Sequence, residues 1–400
     1  MRFVIIGAGQ AAAQAVATLA SEGFSGSLTV VGEEPYPPYQ RPPLSKAYMA
    51  GDFVRERLFL KPEAFYAESH CELRLGVTAA AIDRAAKTVT LSSGDTLAYD
   101  RLLFATGDRV RKLPCPGADL PGVYYLRGID DSDALRRHLV AGKKLAVVGG
   151  GYIGLEVAAV VGKYGLHVTV VEAMDRLMVR SASPQVSEFY RKLHESHGVD
   201  IRLNQAVTAV EGKSWVEAVA TGQGRIPADI VVAGIGVVPN CELALVAGLA
   251  CDNGIVVDEF GATSDPDIFA AGDCTNHVSF HGKRVRLESV QNAIDQAKHA
   301  ALAMLGKPTP YREVPWFWSD QYDIKLQIAG LVQPGDTAVV RGDPSTHKFS
   351  VFHLRDGIVA GVEAVNAAPD YIAGRRLIAA RARVAPERIA DTSVPAKQLG

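Results

Sequence analysis

The sequence predicts an α/β protein of three domains, and two observations lead to that prediction. The first is a strand–glycine turn–helix–strand unit that occurs twice, about 140 residues apart. The second is a change of pattern after about Pro310, where short apolar segments alternate with glycines. The repeated unit predicts parallel sheets, and the alternating segments predict an antiparallel one. A chain of 400 residues is long enough for two or three cores.

The composition is that of an ordinary folded protein, with 48% hydrophobic and 22% charged residues. Lysine and arginine total 42 against 44 acidic residues, so the net charge of −2 gives no general reason to expect nucleic acid. A local basic patch for an acidic protein is still compatible with this balance. The odd number of cysteines, without a CxxC pair or zinc spacing, predicts free thiols in a reducing compartment. They are Cys71, Cys115, Cys241, Cys251 and Cys274.

The chain enters a glycine turn directly after its first strand, so no signal peptide is expected before it. Its later apolar runs, Leu145–Gly151 and Ile230–Pro239, are far too short to cross a bilayer. The sequence therefore predicts a cytoplasmic protein without membrane contact.

The first unit has the strand Arg2–Ile6, a turn, a helix through Leu19 and the strand Ser27–Val31. Its turn reads Gly-x-Gly-x-x-Ala, a pattern that also occurs in plain connections. In the nucleotide-binding interpretation, Gly7 permits the tight turn and Gly9 lets backbone amides reach a pyrophosphate. Ala12 keeps close helix–strand packing, and Glu33 supplies an acceptor for a ribose hydroxyl. The acid after the second strand favours this interpretation.

The second unit has the strand Lys144–Val148, a helix through about Lys163 and the strand His167–Val171. Its turn carries the complete set of three glycines and is followed by an acid, namely Gly149, Gly151, Gly154 and Glu172. Two such units in one chain indicate two bound dinucleotides.

Glu172 also bears on the choice between NADH and NADPH. At about 5 Å and an effective dielectric constant near 20, each unit of like charge costs roughly 3 kcal/mol. That is on the order of a hundredfold against the extra phosphate of NADPH. Arg176 and Arg180 follow closely and could compensate, although both are also typical of solvated surface charge.

The remaining segments connect and extend these units. Pro35–Pro43 is too rich in proline for a regular helix or a central strand. Two strand ends carry polar residues where α/β sheets place ligands, Thr106-Gly107 and Gly272-Asp273. Asp273 fits either a ribityl contact or a helix cap. Further strands and helices are expected at Thr88–Leu91, Leu97–Tyr99, Arg101–Ala105, Val290–Leu305, Gln327–Leu331, Thr337–Arg341, Lys348–Leu354 and Ile358–Ala364.

Seven segments in order resemble the NADH-dependent, FAD-containing ferredoxin reductases of cytochrome P450 and dioxygenase systems, of the putidaredoxin reductase type. They are Arg41–Lys46, Tyr99–Gly107, Gly149–Glu156, Ala233–Asn240, Ala271–Cys274, Glu288–Val290 and Pro315–Gln321. The resemblance covers essentially the whole chain. Two departures are Ala12 in place of the third glycine and Tyr39-Gln40 before Arg41.

The predicted fold is therefore two Rossmann-like dinucleotide-binding domains in a glutathione-reductase-like arrangement, followed by a C-terminal α+β domain with an antiparallel sheet. The FAD-binding domain is expected at 1–110 and 241–308, the NADH-binding domain at 111–240, and the C-terminal domain, near the flavin and the ferredoxin, at 309–400. The expected cofactors are FAD, bound without a covalent bond, and NADH. No metal site is expected, because no histidine or cysteine spacing indicates one.

The resemblance and the motifs together define the expected contacts. For FAD they are Gly7, Gly9, Ala11, Ala12, Glu33, Arg41, Lys46, Ala79, Thr106, Gly107, Arg127, Asp273, Val290 and Trp318. For NADH they are Gly149, Gly151, Ile153, Gly154, Glu156, Glu172, Gly234, Ile235 and Gly236.

The resemblance implies catalytic roles for Lys46, Glu156 and Trp318. Lys46 would lie near the flavin ring, paired with Glu156, and so couple nicotinamide docking to flavin charge. Its place after two prolines on a rigid loop is consistent with that role, but without the resemblance a surface lysine would be the favoured interpretation. Trp318 would lie between the flavin edge and the ferredoxin surface, or else pack in the core of the third domain. Lys298 is a candidate docking cation, or an ordinary solvated residue.

The expected reaction is hydride transfer from NADH to FAD, then single-electron transfer to a [2Fe–2S] ferredoxin that supplies a P450 or ring-hydroxylating oxygenase. A disulphide reductase would need a cysteine soon after the first unit, where this chain has Arg41-Pro42-Pro43. An NADH oxidase or peroxidase is the second alternative. An interaction or DNA-binding module like apoptosis-inducing factor is the third, disfavoured by the near-neutral charge.

Overall fold

The computed structural model describes every residue from Met1 to Gly400, and the chain folds into two units. The first unit comprises Met1–Gln40, Arg55–Arg109 and Val237–Pro315. The second comprises Arg41–Val54, Val110–Gly236 and Trp316–Gly400. The segment Arg41–Val54 therefore belongs to the second unit, although the chain on either side of it belongs to the first. The division into three domains made from the sequence stays a prediction.

A five-stranded parallel sheet is the centre of the first unit. Four of its strands are mainly apolar and buried, as expected for a sheet covered on both faces, whereas the edge strand Cys71–Leu75 alternates between apolar and charged residues. Their spatial order is Ile268–Ala270, Arg101–Phe104, Arg2–Ile6, Ser27–Gly32 and Cys71–Leu75. The helices Gln10–Ser21 and Val290–Met304 bury their alanine-rich faces, including Ala12, Ala297 and Ala301, in the core beside this sheet.

The rest of the first unit consists of small sheets and short helices. One antiparallel sheet contains Ala79–Asp83, Thr88–Leu91 and Thr96–Ala98. Another contains Ile255–Val256, Thr275–Val278 and Arg284–Val285. Asp108–Val110 pairs with Val237–Pro239, and the remaining helices are Glu63–Glu68 and Glu242–Val246.

The second unit contains a parallel sheet of the same kind. Its order is Asp200–Arg202, His167–Val171, Lys144–Val148, Ile230–Ala233 and Val123–Tyr124. An antiparallel sheet of Val207–Gly212, Val216–Thr221 and Gly224–Pro227 accompanies it. The helices of this part of the unit are Ile129–Arg136, Tyr152–Val161 and Pro184–Ser196.

The C-terminal part of the second unit is a five-stranded antiparallel sheet. Its order is Trp316–Gln321, Ile324–Gly330, Ile358–Val365, Lys348–Arg355 and Thr337–Asp343. The helix Ala368–Ala379 packs so closely that a Cβ at Gly374 would lie 2.4 Å from Val362 Cγ1. A short helix, Pro386–Ala390, follows. None of the helices has the length and apolar composition that crossing a bilayer requires.

The predicted fold class is confirmed, and several elements match residue for residue. The strands Arg2–Ile6, Thr88–Leu91, Lys144–Val148 and His167–Val171 have the expected bounds. The helix expected through Lys163 ends at Val161 and continues as a 3₁₀ turn, Gly162–Tyr164. The sequence did not indicate the strand Trp316–Gln321 or the helix Ala368–Ala379.

The third glycine of the second turn is required by close packing. A Cβ on Gly154 would lie 2.4 Å from the carbonyl oxygen of Gly149 and 3.0 Å from a methyl group of Val147. In the first turn the corresponding residue is Ala12, which is fully buried in the core. The helix of the first unit therefore leaves room for a methyl group at position 12, whereas the helix of the second unit leaves none at position 154.

We predict that Gly154→Ala lowers the free energy of unfolding by about 2–4 kcal/mol, despite the better helix propensity of alanine, because a rigid backbone oxygen opposes the added methyl group. Urea denaturation measures the change. Gly162→Ala is the matched control, since nothing lies within 4 Å of its added Cβ and its φ of −55° suits alanine. Equal midpoints for the two variants would contradict the packing argument.

Candidate functional site

The strand order of the first unit reverses between Arg2–Ile6 and Arg101–Phe104. Chain connections leave these two neighbouring strands in opposite directions, so a crevice forms at their carboxyl ends, where α/β proteins bind ligands. The glycine turn follows one strand, and Thr106-Gly107 follows the other shortly after its end. A Cβ at Gly7, whose φ is +108°, would lie 2.1 Å from the carbonyl oxygen of Ala105, so this approach requires glycine.

Gly9 is constrained in a different way, because nothing of the protein lies within 4 Å of a Cβ placed on it. It is the N-cap of helix Gln10–Ser21 and offers no side chain to the first backbone amides. Those amides and the positive end of the helix favour an anion. The open space beside Gly9 therefore fits the pyrophosphate of a dinucleotide. Ala11 and Ala12 lie behind it in the core.

The Gly272-Asp273 turn lies against the same helix. A Cβ at Gly272 would be 3.4 Å from the Ala11 Cβ and 3.6 Å from the Ala293 Cβ. Gln296 holds the turn, because its Oε1 accepts from the Gly272 amide and the Thr275 hydroxyl, each at 2.8 Å. Asp273 is half-buried at this turn.

Other residues expected to contact FAD also lie in the first unit. Glu33 is exposed directly after the strand Ser27–Gly32. Ala79 begins its strand half-buried, and Val290 begins the helix that Ser289 caps. The Thr106 hydroxyl donates to the Asn240 carbonyl at 2.7 Å, and the Asn240 amide donates back to the Thr106 carbonyl at 3.0 Å. Asn240 thus fixes the Thr106-Gly107 turn.

The glycine turn of the second unit repeats this geometry. A Cβ at Gly149 would lie 2.5 Å from the Gly234 carbonyl oxygen, whereas the nearest atom to one at Gly151 is 4.0 Å away. Gly151 therefore leaves space at the N-terminus of helix Tyr152–Val161, as Gly9 does in the first unit. Ile153 is 44% exposed in the first turn of that helix. Ile235 and Gly236 follow the neighbouring strand Ile230–Ala233.

Glu172 is held by the backbone at the end of its strand. Its Oε2 accepts from the Gly150 amide at 2.6 Å, and its Oε1 accepts from the Met174 amide at 2.8 Å. Each carboxylate oxygen retains a lone pair for a ribose hydroxyl. The carboxylate is thus fixed beside the glycine turn.

The two arginines near Glu172 are placed differently. The Arg176 guanidinium donates to the carbonyls of Ala182 and Val179 and to the Ser187 hydroxyl, at 2.7–3.0 Å. It is therefore engaged within its own loop. Arg180 is exposed, and its guanidinium nitrogen lies 3.0 Å from the Cβ position of Gly236.

Lys46 and Glu156 form a salt bridge in the second unit. Lys46 Nζ lies 2.7 Å from Glu156 Oε2, and the two side chains are only 19% and 4% exposed. The Ser45 hydroxyl donates to the same oxygen at 2.6 Å, and the Ser319 hydroxyl donates to Glu156 Oε1 at 2.6 Å. Burial alone disfavours an ionised carboxylate, and these three donors offset that cost.

Arg41 and Arg127 also meet in the second unit. Arg41 Nη1 donates to the Arg127 carbonyl at 2.8 Å. Asp131 accepts from the amides of Arg127 and Gly128 at 2.9 and 2.8 Å, at the start of helix Ile129–Arg136. The prolines of Pro42–Ser45 form a 3₁₀ turn between Arg41 and Lys46, which fixes their spacing.

The strand Trp316–Gln321 separates Trp318 from the Lys46–Glu156 pair. Phe317 packs on Tyr152 with ring centroids 4.7 Å apart, and Ser319 contacts Glu156, so these odd-numbered residues face helix Tyr152–Val161. Because side chains alternate along a strand, Trp318 points to the opposite face, where its ring lies 5.7 Å from that of Trp316. Arg375 lies over the Trp316 ring at 5.6 Å.

Sequence reasoning did not identify Ser45, Ser319, Gln296 or Asn240. Ser45 and Ser319 were inside segments that carried the family resemblance, next to the residues that were singled out. Alternation along the strand from Phe317 is the signal that could have indicated Ser319. Asn240 ended another such segment, but nothing in the spacing predicts that it meets Thr106.

All five cysteines are free thiols. Burial raises the pKa of Cys71 to about 12 and the pKa of Cys251 and Cys274 to about 11. Burial also raises the pKa of Cys115. Because the thiolate is the reactive form, these four thiols are poor nucleophiles at neutral pH. The chain brings no group of three histidine, cysteine or acidic side chains together as a metal site.

Comparison with known proteins gives consistent matches. Residues 1–297 match the pyridine nucleotide-disulphide oxidoreductase family, and residues 316–400 match the reductase C-terminal family. Rhodocoxin reductase of Rhodococcus erythropolis is 48% identical, over 99% of this chain and 94% of that protein. The ferredoxin reductase subunit of a 5,5'-dehydrodivanillate O-demethylase from Sphingobium is 44% identical, over 99% and 97%. The covalent putidaredoxin reductase–putidaredoxin crystal structure matches with a TM-score of 0.97 and 42% identity, over 100% of this chain and 97% of that one.

We predict that Lys46→Met destabilises the protein by about 1–3 kcal/mol, because it leaves the buried Glu156 carboxylate without its cation. Replacing both partners, as Lys46→Met with Glu156→Gln, recovers part of that loss. Urea unfolding of the wild type, both single variants and the double variant measures the coupling free energy. Strictly additive effects would show that the pair is not coupled.

Proposed function

Because the chain belongs to the pyridine nucleotide-disulphide oxidoreductase family, we propose that it transfers electrons from NADH through FAD to a [2Fe–2S] ferredoxin. That ferredoxin would supply a cytochrome P450 or a ring-hydroxylating oxygenase. Relatives matched over nearly their whole length support the proposal, since one is a ferredoxin reductase subunit and another was solved bound to putidaredoxin.

FAD binds in this proposal to the crevice of the first unit. The amides after Gly9 receive the pyrophosphate, Glu33 a ribose hydroxyl and Asp273 the ribityl chain. Ala11, Ala12, Ala79, Thr106, Gly107 and Val290 complete the proposed contacts in this unit. The family resemblance adds Arg41, Lys46, Arg127 and Trp318 to the residues expected to contact FAD. Bound FAD supplies the change from two-electron to one-electron transfer, which no side chain provides.

NADH binds to the second unit. Gly149, Gly151 and Gly154 form the turn at the pyrophosphate, and the carboxylate of Glu172 accepts from the ribose. Ile153, Gly234, Ile235 and Gly236 line the same end of the sheet. Because Arg176 is engaged within its loop, only Arg180 is placed to offset the repulsion between Glu172 and the extra phosphate of NADPH.

The observation that carries the proposal is the chemistry of the Arg41–Lys46 segment. A disulphide-reducing relative needs a reactive cysteine after the first unit, whereas this chain has Lys46, paired there with the buried Glu156. Burial raises the pKa of the nearest cysteine along the chain, Cys71, to about 12. Cys71 is therefore not poised to accept electrons, and in this proposal the flavin delivers them to a separate acceptor.

Lys46 and Glu156 act together on nicotinamide docking. Glu156 lies on the helix that follows the second glycine turn and therefore belongs to the NADH site. Lys46 directly follows the 3₁₀ turn Pro42–Ser45, which fixes its backbone. The position of the cation is thus linked to the nucleotide-binding helix. Removing either partner should slow flavin reduction by NADH.

Trp318 marks the proposed exit for single electrons. It lies on the strand face opposite Glu156, beside Trp316. Lys298 is exposed on helix Val290–Met304 and is proposed to attract an acidic ferredoxin. The free cysteines support a reducing, cytoplasmic location as a further proposal.

Reconstitution tests the function directly. The purified protein with FAD is mixed anaerobically with NADH or NADPH, then with a [2Fe–2S] ferredoxin and cytochrome c. We expect rapid bleaching of the flavin by NADH and cytochrome c reduction that depends on the ferredoxin. Equal rates with oxygen or peroxide in place of ferredoxin would instead indicate an NADH oxidase or peroxidase.

We predict that Glu172→Gln narrows the preference for NADH over NADPH by about tenfold or more, because the repelling charge is removed while an acceptor oxygen remains. Stopped-flow reduction with both nucleotides measures the ratio. Arg180→Gln is the matched comparison and should widen the preference. An unchanged ratio in Glu172→Gln would disprove the role of its charge.

We predict that Trp318→Ala slows ferredoxin reduction by about tenfold or more, as loss of an aromatic anchor commonly does. Reduction of ferricyanide, a small acceptor, should fall much less. Trp316→Ala removes the same ring from the same strand face and serves as the control. A loss of equal size in both variants would assign Trp318 to packing alone.

A further inference from the structure

Glu156 is the end of a chain of hydrogen bonds that crosses the interior of the second unit. Beyond Ser319, the Gln321 amide lies 3.2 Å from the Ser319 oxygen, and Gln321 Oε1 lies 2.8 Å from His194 Nε2. His194 Nδ1 in turn lies 3.0 Å from the Tyr322 hydroxyl. Gln321 ends one of the segments that carry the family resemblance, but no role has been assigned to it, to His194 or to Tyr322.

The charge of Glu156 sets the direction of every bond in this chain. An ionised carboxylate only accepts, so the Ser319 hydroxyl must donate to it. Ser319 then has only lone pairs left for Gln321, which must present its amide NH₂ and turn its carbonyl oxygen to His194. That oxygen only accepts, so His194 must carry its proton on Nε2.

The far end of the chain follows the same rule. Burial lowers the pKa of His194 to about 4, so the ring is neutral and its Nδ1 accepts from the Tyr322 hydroxyl. The ring of Tyr322 is stacked on exposed His197, with centroids 3.7 Å apart. The donors of four successive side chains thus point toward one carboxylate. Such aligned bonds polarise and strengthen one another.

A proton relay is a poor description of this chain. A relay needs each group to receive a proton on one side and release one on the other, which an amide does only through an unfavourable tautomer. Gln321 therefore interrupts proton transfer while it transmits orientation and polarisation.

We propose that Ser319, Gln321 and His194 are positioning residues that orient the Glu156 carboxylate toward Lys46. The chain occupies Oε1, so Oε2 is left for Lys46 and Ser45. A carboxylate anchored through Oε1 cannot rotate freely, so Oε2 holds the Lys46 cation at one point. This inference rests on the proposed role of the Lys46–Glu156 pair in hydride transfer.

The tautomer of His194 provides a test that is independent of turnover. In holoenzyme labelled with ¹⁵N-histidine, the His194 ring should show the proton on Nε2, with its signal assigned by its loss in His194→Gln. Ser319→Ala should shift this signal and mix the tautomers, although Ser319 does not contact His194. Tyr322→Phe, which removes one hydroxyl, should do the same from the other end.

Ser350→Ala is the matched control. Ser350 lies on the same five-stranded sheet, is fully buried like Ser319, and donates to a carboxylate, Asp370, at 2.9 Å. It should leave the His194 signal in place. A proton on Nδ1 in the wild type, or a His194 signal indifferent to Ser319→Ala, would overturn the proposal.

Stopped-flow reduction by NADH tests the positioning role itself. Ser319→Ala, Gln321→Met and His194→Leu should each lower the limiting rate of flavin reduction by about tenfold, the cost of one lost buried hydrogen bond. The dissociation constant for NADH should change much less. His194→Gln, which keeps a donor near the Nε2 position, should recover most of the rate.

Lys46→Met distinguishes the role of the salt bridge from the role of the residues that position Glu156. If Lys46→Met slows flavin reduction but Ser319→Ala, Gln321→Met and His194→Leu do not, the positioning role is wrong and the proposed function stands. If Lys46→Met has no effect either, the coupling role of the salt bridge is wrong. An equal loss of rate in Ser350→Ala would show that the rates depend on packing in the sheet and not on the hydrogen bonds that lead to Glu156.

Discussion

A buried carboxylate needs hydrogen-bond donors or a cation to offset its desolvation, and Glu156 receives three such partners from two distant parts of the chain. Lys46 and Ser45 come from the segment Arg41–Val54, and Ser319 comes from the edge strand of the C-terminal sheet. Desolvation of an ion is costly, and removing any donor exposes that cost. This requirement gives a physical reason for Arg41–Val54 to belong to the second unit, although its neighbours in sequence belong to the first.

The two glycine turns have the same backbone geometry at their first two positions and differ at the third. In both, the first glycine is required by a carbonyl oxygen of the neighbouring strand end, at Ala105 or Gly234. In both, the second glycine borders open space and leaves helix amides for an anion. The third position differs, because only Gly154 is pressed against its own turn. Ala12 is therefore a packing adjustment and leaves the anion site unchanged.

Much of the fold could be predicted from the sequence because the first strand of each repeated unit is a short, mainly apolar run that ends at a glycine turn. Arg2–Ile6 and Lys144–Val148 had no competing pattern. Trp316–Gln321 was not recognised as a strand, because aromatic residues occur on both of its faces and hide the alternation. In Ala368–Ala379 a glycine and several alanines on the buried face weaken the helical pattern.

The candidate site divides in the same way. Glycine turns and the acids that follow them are local, so their positions could be assigned from spacing. Contacts across 111 and 163 positions, from Ser45 and Ser319 to Glu156, depend on how whole elements pack. His194 carries no sequence signal beyond its place on the buried face of an amphipathic helix.

The strand Trp316–Gln321 carries candidate functional residues on both of its faces. Its alternation directs Trp318 to one face and Ser319 and Gln321 to the other, and its ladder with Ile324–Gly330 is regular throughout. A docking partner at Trp318 could disturb Glu156 only by displacing that backbone, which six successive residue pairs resist. The strand therefore acts as a rigid support and not as a switch. The residues proposed for nicotinamide docking and the residue proposed for electron exit thus lie on opposite faces of one strand.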